Sequence, residues 1–420
     1  MNVIIIGGGA SGMAAAITAA RAGAKVTIFE KEARLGRKIL ATGNGKCNLS
    51  NTRWDGNEYN EDGEAFAREV LKAVTPQQTL TFFEELGVLP REDKEGRIYP
   101  ASEQASSVLD ALRFEVERLK IEIIYEEWIK GIVPQRDGTY AVVSHANTRR
   151  RAEKVIVACG GDAGRQYGCE GDGFALAEMV GHTVKETVPA LVQLTSDEPY
   201  FKQLKGVRAK GQLTLTARDL NGEEKQLGTS RGEIQFTETG LSGICVFDLS
   251  GRAGRAMKEE KRCTMTMDLF PDMEMSDFLD MMRKRLVLSG HKSCEDFLNG
   301  MINKKLIPVV LKNCGVTKLN EKAEKITEEQ LEQIAYMLKH WQVGISGQNH
   351  WNDAQTTSGG VLLSEIDPKT MESKLHPGLY FAGEVVDVDG RCGGYNLQWA
   401  WSSGILAGRS AAGEPETAGE

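Results

Sequence analysis

Apolar and polar positions follow two different periods over the first thirty residues. Asn2–Ile6 is a short run rich in β-branched residues, and Lys25–Glu30 alternates as a strand does. Between them lies an alanine-rich segment from about Ser11 to Ala22. Gly23 follows it, where helices commonly end on a glycine. The pattern predicts a strand, a glycine-rich turn, a helix and a second strand.

Capping residues predict several helices further along the chain. Thr75 followed by Pro76 combines an N-cap residue with a proline at the first helical position. Ser102 is expected to cap another helix. Thr327-x-x-Gln330 has the spacing of a capping box, in which each side chain bonds the other residue's backbone.

The middle of the chain has a different pattern from its two ends. Gln212–Arg218 alternates cleanly, Asn221-Gly222 is a strong hairpin signal, and residues 275–314 have helical spacing. Glycine-rich α/β character returns after residue 350. The sequence therefore predicts an α/β fold in which one nucleotide-binding domain, at 1–189 and 346–420, is interrupted by an insert at 190–345. Within the insert, we expect a part resembling a β-barrel at about 190–270 and 327–345, and a small helical part at about 271–326.

Glycine is the one unusual feature of the composition. The chain has 420 residues and 46 glycines, and 22 of these lie in the windows 1–50, 155–181 and 383–413. Any functional interpretation must therefore explain three glycine-rich segments that are far apart in sequence.

Charge and cysteine usage narrow the class of protein. The formal net charge of −8 argues against general nucleic-acid binding, although residues 200–325 carry 22 Lys and Arg against 17 Asp and Glu. That local excess fits either a solvated surface or an anionic ligand. The eight cysteines show no metal-like spacing, which fits reduced cytosolic thiols. Without a long apolar run or a leader, we expect a cytoplasmic protein.

The first glycine segment has the spacing of a dinucleotide-binding loop. Gly7, Gly9 and Gly12 form G-x-G-x-x-G between a predicted strand and helix. Such a loop allows a tight turn, close approach of a diphosphate and close packing of helix on strand, while the helix N-terminus attracts the phosphates. Glu30 ends the next strand, where an acid can accept hydrogen bonds from ribose hydroxyls.

Three further segments allow a ligand or an ordinary structural role. Gly36–Asn48 holds two cations before a glycine–amide loop, which suits a diphosphate or a basic surface turn. Val155–Gly161 is a buried strand that ends in small residues. Leu379–Glu384 ends in an acid that suits ribityl hydroxyls, and Arg391–Gln398 opens the last helix. Its N-terminus fits either a glycine cap or the pyrimidine end of a flavin.

These segments together resemble the HI0933-like family of NAD(P)/FAD-dependent flavoproteins. The resemblance runs from end to end and rests on IIIGGGASGMAAAITAARAGAKVTIFEK, GRKILATGNGKCNLSN, GDGFALAEMVGH, TTSGGV, TMESK and GLYFAGEVVDVDGRCGGYNLQWAWSSGILAG. It implies a Rossmann-like FAD domain with helices on both faces of its sheet, interrupted by an insert with a β-barrel part and a small helical part. It also implies FAD as cofactor and NADH or NADPH as reductant.

The resemblance further implies which residues contact FAD. Those at the pyrophosphate are Gly7, Gly9, Ala10, Ser11 and Gly12, and those at the adenosine ribose are Glu30 and Lys31. Those between the phosphates and the flavin are Arg37, Lys38, Thr42, Gly43, Asn44 and Asn48, and the chain is expected to cross beneath the cofactor at Ala158 and Gly160. Those at the ribityl chain and the flavin ring are Gly383, Glu384, Gly394, Tyr395, Asn396, Leu397 and Gln398. Cys159 departs from the family, where a threonine is usual.

Several residues in or near these motifs have two interpretations. Cys47 and Cys392 fit either a redox pair or small side chains packed near the cofactor. Asp172 fits either an active-site acid or a helix cap. His350 and Arg391 could protonate or anchor a substrate, or could be structural. No metal-ligand set and no hydrolase triad is apparent, so catalytic residues are not assigned.

The resulting hypothesis is an FAD-dependent oxidoreductase acting on a small molecule. We expect NAD(P)H-driven hydride transfer through flavin N5 to an organic acceptor. The resemblance implies reduction of a carbon–carbon double bond in a steroid-like or bile-acid-like enone. The alternatives are an NAD-dependent dehydrogenase without flavin and a non-enzymatic flavin-bound or RNA-associated protein. The sequence does not choose between NADH and NADPH or set the oligomeric state.

Overall fold

The computed structural model describes residues 1–413, so residues 414–420 at the end of the predicted FAD domain lie outside it. The chain divides into two compact units. The first consists of Met1–Val188 and the chain from Gln355 onward, and the second is Pro189–Ala354. The predicted insert spans 190–345. No helix within residues 1–413 is long and apolar enough to cross a membrane.

A parallel sheet forms the centre of the first unit, as the sequence predicts. Its strand order is Leu379–Phe381, Lys154–Val157, Asn2–Ile6, Lys25–Phe29 and Glu122–Ile124. Three of these strands are short runs of valine and isoleucine, and both sheet faces are covered. Because all five strands are parallel, their carboxyl ends meet at one edge, where ligands bind in open α/β sheets.

Helices and smaller sheets surround the parallel sheet. The helices are Ala10–Arg21, Glu64–Ala73, Pro76–Glu85, Ala105–Arg118, Asp172–Met179 and Tyr395–Ala412, with 3-10 segments at Arg37–Gly45, Arg165–Tyr167, Leu363–Glu365 and Gly383–Val385. One antiparallel sheet consists of Ser50–Asn51, Arg97–Pro100 and Pro90–Glu92, and another of Ile129–Pro134, Tyr140–Ser144 and Arg149–Ala152. Val184–Ala190 pairs with Thr356–Val361.

The predicted caps have different outcomes. Thr75 and Thr327 both form reciprocal capping boxes with the residue three positions on, as predicted. The prediction for Ser102 is wrong, because the helix begins at Ala105 and has no side-chain cap. The Ser102 hydroxyl instead bonds the hydroxyl of Ser107 at 3.0 Å.

The second unit is built on a seven-stranded antiparallel sheet. Its order is Trp341–Ile345, Arg262–Asp268, Arg208–Arg218, Glu224–Phe236, Gly240–Ser242, Leu194–Thr195 and Gly347–Gln348. The predicted turn at Asn221-Gly222 connects the two longest strands. No pairing joins the two outer strands within the described chain, so the sheet is open. The helices are Phe201–Leu204, Ile244–Lys258, Met275–Ser289, Cys294–Phe297, Ile307–Asn313 and Glu328–Lys339, with a 3-10 turn at Ala323–Lys325.

The first and last helices of the first unit cross at glycines. A Cβ on Gly404 would lie 2.4 Å from the carbonyl oxygen of Ser11, and one on Gly408 would lie 2.5 Å from that of Ala15. Both glycines lie four residues apart on one face of Tyr395–Ala412, opposite residues four apart on Ala10–Arg21. The last helix thereby packs directly against the backbone of the first.

A buried histidine connects three segments beside the parallel sheet. His182 Nδ1 lies 2.9 Å from Glu365 Oε2, and its Nε2 lies 2.8 Å from the hydroxyl of Ser373. The ring also meets Phe381 edge-on and lies near His376. Burial lowers the pKa of His182 below its ordinary value of about 6.5, and Glu365 opposes this only partly. The folded chain therefore favours the neutral ring.

Stability is expected to fall when the pH drops from about 7.5 to about 5.5, because folding must keep His182 neutral while the unfolded chain protonates it. The loss begins near the unfolded pKa of about 6.5, and each unit of pKa depression costs about 1.4 kcal/mol. The pKa of Glu365 is lowered by its hydrogen bonds, so its own contribution is lost at more acid pH. Thermal melting of His182→Gln should show a shallower pH dependence than wild type. The same change at exposed His291 should leave the dependence unaltered, and equal slopes for all three proteins would contradict the assignment.

Candidate cofactor site

A cavity lies at the carboxyl ends of the five parallel strands. Its walls include Ile6, Phe29 and Ala158, at or just beyond the ends of the three central strands. Glu127 and Glu384 follow the two outer strands and also line it. The whole cavity belongs to the first unit.

The glycine loop, residues 7–12, is shaped by close backbone contacts on one side and open space on the other. Gly7 has a φ of +103°, and a Cβ there would lie 2.5 Å from the carbonyl oxygen of Ala158. A Cβ on Gly12 would lie 1.9 Å from the carbonyl oxygen of Gly7. At Gly9, no described atom lies within 4 Å of a Cβ, and this residue is the N-cap of the first helix. The N–H groups at that helix start suit a phosphate.

The Glu30 carboxylate is held by two backbone N–H groups, one in the glycine loop and one just beyond its own strand. Its Oε2 accepts from the Gly8 N–H and its Oε1 from the Glu32 N–H, each at 2.9 Å. Burial raises the pKa of the Glu30 carboxyl, against the two N–H groups that lower it. The acid therefore has a fixed orientation at the end of its strand, which suits a ribose diol.

The cavity wall next to Glu30 consists of a lysine that pairs with two acids, and of one tryptophan. Lys31 Nζ lies 2.6 Å from Asp172, 2.7 Å from Glu170 and 5.6 Å from the ring centre of Trp128. Asp172 is the first residue of its helix and not its N-cap, so the helix-cap interpretation is not supported, and its role as an active-site acid stays a prediction. Glu127 Oε1 is buried here and has no partner in the described chain.

A partly buried ion pair lines the middle of the cavity. Lys38 Nζ donates to Glu384 Oε2 at 2.8 Å. The neighbouring cation, Arg37, pairs with Glu32 and donates to the carbonyl of Gln166 at 2.9 Å. Of the two predicted phosphate cations, Lys38 is the more enclosed, since its side chain is 25% exposed and that of Arg37 is 40% exposed.

Two buried oxygens that lie beside the N-cap of the last helix have no partner among residues 1–413. Asn48 Oδ1 and Ser50 Oγ are both in this state. A Cβ on Gly394 would lie 2.7 Å from Asn48 Oδ1 and 2.5 Å from the carbonyl of Ser50. Unpartnered buried oxygens are costly, so polar groups of a ligand would satisfy them. Neither Asn48 nor Ser50 lines the cavity, so contact of these oxygens with the polar edge of a flavin ring stays a prediction.

The structure brings most of the sequence-predicted residues to the cavity wall. Those lining it are Gly7, Gly9, Ala10, Ser11, Glu30, Lys31, Arg37, Lys38, Thr42, Ala158, Gly160, Glu384, Asn396 and Leu397. Those not among its lining residues are Gly12, Gly43, Asn44, Asn48, Gly383, Gly394, Tyr395 and Gln398. Gly12 supports Gly7 from behind, and Gly43 and Asn44 form a left-handed turn.

Two predicted flavin residues have their side chains bonded to protein groups. Gln398 is fully buried, and its amide donates to Thr79 Oγ1 and Ser402 Oγ, each at 2.8 Å. The Tyr395 hydroxyl donates to the carbonyl of Arg53 at 2.6 Å. Neither residue lines the cavity, although Gln398 Oε1 is buried and has no partner in the described chain.

Other residues of the cavity wall were missed by the sequence argument. These are chiefly Trp128, Tyr167, Cys169 and Thr356. Thr356 lies in TTSGGV, a segment already noted for its resemblance to the family, so that motif could have identified it. Trp128 is 47% exposed and lies outside every motif, so nothing in the sequence singled it out.

Cys47, Arg391 and His350 each allowed a functional or a structural interpretation, and their surroundings differ. No cysteine among residues 1–413 is disulfide-bonded, and burial raises the pKa of Cys47 to about 12, so its thiolate is scarce at neutral pH. Arg391 pairs with Asp55 at 3.0 Å, stacks on Tyr395 and does not line the cavity. His350 belongs to the second unit.

The parallel sheet, the glycine loop with its acid and the cavity beside it define a Rossmann-type FAD-binding protein, a flavin-dependent oxidoreductase. More particularly, the chain belongs to the HI0933-like family. The family model described as HI0933-like protein Rossmann domain matches residues 1–410. This match confirms the resemblance, and an NAD-dependent dehydrogenase without flavin is no longer supported.

Two named relatives match over nearly the whole chain. The 3-dehydro-bile acid delta(4,6)-reductase of Clostridium scindens is 40% identical over 419 residues, covering 99% of this chain and 100% of the relative. The ribosomal RNA dihydrouridine synthase of Escherichia coli is 28% identical over 407 residues, covering 96% of each.

Among solved structures, a 3-ketosteroid delta1-dehydrogenase from Sterolibacterium denitrificans has a TM-score of 0.49 at 12% identity, over 98% of this chain and 99% of that one. A 3-ketosteroid-delta4-(5alpha)-dehydrogenase from Rhodococcus jostii has a TM-score of 0.44 at 15% identity, over 98% and 96%.

Proposed function

We propose that this protein is an NAD(P)H-dependent reductase that saturates a carbon–carbon double bond conjugated to a carbonyl, in a small steroid-like enone. The observation that carries this proposal is the 40% identity to a bile-acid delta(4,6)-reductase over the full length of both chains. In a 3-oxo steroid, double bonds at positions 4 and 6 are conjugated to the carbonyl. Dihydrouridine likewise arises when the double bond of a conjugated pyrimidine is saturated, so both named relatives act on the same bond type.

The flavin, when bound, supplies hydride transfer through its N5, and the chain supplies position and electrostatics. In this proposal the glycine loop binds the diphosphate, Glu30 binds the adenosine ribose, and Lys38 lies beside the phosphates. At the pyrimidine edge of the flavin, Asn48 Oδ1 accepts a hydrogen bond and the backbone N–H groups that follow Gly394 donate. The helix start also stabilises negative charge that develops there.

The test is anaerobic reduction of the purified holoenzyme by NADH and by NADPH, followed by reoxidation. One nucleotide should bleach the flavin, and a 3-oxo steroid with double bonds at positions 4 and 6 should restore its colour in stoichiometric amount. The matched control is the saturated 3-oxo steroid, which should leave the flavin reduced. If neither nucleotide bleaches the flavin, the proposed electron donor is wrong; if the unsaturated steroid fails to reoxidise it, the proposed acceptor is wrong.

A second candidate function is dihydrouridine formation in RNA. Two observations favour it: the 28% identity to ribosomal RNA dihydrouridine synthase and the basic excess of residues 200–325. Incubating the holoenzyme with ribosomal RNA and reduced nucleotide, then digesting the RNA for mass spectrometry, separates the two. Dihydrouridine in the digest would replace the steroid proposal, whereas unmodified uridine together with steroid turnover would support it.

A further inference from the structure

The carboxylate of Glu384 already has three protein donors. Its Oε2 accepts from Lys38 Nζ at 2.8 Å, and its Oε1 accepts from Thr357 N–H at 2.6 Å and from Thr356 Oγ1 at 3.1 Å. A carboxylate offers about four lone-pair positions, so one remains. This acid is therefore mainly occupied in holding its neighbours, although its place at the end of a strand suggested a direct ligand of the ribityl chain.

Lys38 is held in the cavity by this one anchor. Among residues 1–413, Glu384 is the only group that Lys38 Nζ is seen to bond, which leaves two N–H donors of its ammonium. Burial lowers the pKa of Lys38, but Glu384, together with the neighbouring Cys169, more than compensates and the net shift is upward. The ammonium thus stays charged in an enclosed place, where a charge acts more strongly than at the surface.

We propose that Glu384 is a positioning residue for Lys38, and that the two form a charge-balanced pair beside the cofactor's diphosphate. The ammonium donates to the phosphates, and the carboxylate keeps it in place. The cation in turn makes a carboxylate tolerable next to two phosphate charges. An acid left without Lys38 would repel the diphosphate, since breaking a partly enclosed pair leaves an uncompensated charge. The inference rests on FAD as the cofactor and is independent of the proposed substrate.

The test measures FAD affinity by titrating full-length, flavin-free protein, with circular dichroism to verify that each variant is folded. Lys38→Met should weaken FAD binding by about tenfold or more, because it also leaves Glu384 unpaired. Glu384→Gln should weaken binding by about threefold in the wild-type background, where it releases Lys38. In the Lys38→Met background the same change should strengthen binding, because the unpaired charge is removed. This change of sign distinguishes charge balance from direct ribityl binding.

Controls separate the pair from general charge effects. Arg34→Met removes a cation from the same cavity wall, but an exposed one, and should change the affinity by less than about threefold. Lys38→Arg should restore most of the binding lost in Lys38→Met, and riboflavin, which lacks the diphosphate, should bind both Lys38 variants alike. The release of FAD from each holoenzyme on dilution provides the same ranking without removing flavin.

If Glu384→Gln weakens FAD binding equally in both backgrounds, or has no effect in the Lys38→Met background, the proposal is overturned. Failure of steroid reduction would leave all these affinities unchanged.

Discussion

Gly9→Ala is expected to leave the stability of the flavin-free protein unchanged and to abolish most of its FAD binding, whereas Gly12→Ala is expected to destabilise the fold itself. The two glycines belong to one motif but meet different surroundings. A Cβ at Gly9 would point into open space at the start of the first helix, where the diphosphate is proposed to lie. A Cβ at Gly12 would lie 1.9 Å from the carbonyl oxygen of Gly7, which is backbone and has little freedom to move.

The sizes of the two effects follow from these contacts. Overpacking of this kind costs about 3 kcal/mol, a large part of the 5–15 kcal/mol that holds an ordinary domain together. For Gly9→Ala, the methyl group should push the diphosphate away from the N–H groups of the helix start and lower FAD affinity by about 100-fold, which corresponds to about 2.8 kcal/mol. Thermal melting with and without added FAD separates the two. The flavin-free melting temperature should match wild type for Gly9→Ala and fall for Gly12→Ala. A Gly9→Ala protein that retains FAD as tightly as wild type would show that the diphosphate lies elsewhere.

Local features of this chain were predictable because their causes lie within a few residues. The glycine loop, the strand that precedes it and the acid at the end of the next strand form one unit of thirty residues, and their spacing determines the geometry. Thr75 and Thr327 cap their helices through residues three positions away. The prediction that Ser102 caps a helix was wrong because its hydroxyl bonds the hydroxyl of Ser107. A sequence pattern does not show whether a serine bonds the helix backbone or a nearby side chain.

Long-range pairs could not be predicted, since the fold alone brings them together. Lys38 and Glu384 were assigned to the same ligand but not to each other, and 346 residues separate them. His182 and Glu365 likewise meet only because a loop returns beside the sheet.

Adjacency in sequence was also misleading at the start of the last helix. Consecutive helical residues point about 100° apart, so a run of neighbours does not share one face. Asn396 and Leu397 line the cavity, whereas the side chain of Gln398 points into the core and bonds Thr79 and Ser402. The placement of the glycine-rich approach to this helix at the flavin stays a prediction, and the choice of side chains needed the helical phase.

Gly404→Ala is expected to destabilise the first unit and to lower FAD retention at the same time. A Cβ at this position would lie 2.4 Å from the carbonyl oxygen and 3.0 Å from the Cα of Ser11. Alanine is the better helix former by about 1 kcal/mol, while the clash costs about 3 kcal/mol, so the clash prevails by about 2 kcal/mol. Relief requires the first helix to move away, and Ser11 lies on the first turn of that helix, beside the proposed phosphate cradle.

The effect on FAD is what distinguishes this crossing from ordinary core packing. Gly404 does not line the cavity, so a lost cofactor contact cannot explain weaker binding; a displaced helix start can, because its N–H groups must face the phosphates.

Gly344→Ala is the matched control, since a Cβ there meets no described atom within 4 Å and the residue lies in an exposed position of a strand in the second unit. The free energy of unfolding of that variant should lie within about 0.5–1 kcal/mol of the wild-type value, and the variant should keep its flavin. Denaturant melts paired with the flavin content after gel filtration measure both quantities. A Gly404→Ala protein that is less stable but retains FAD with unchanged affinity would show that the last helix supports the fold without positioning the cofactor loop.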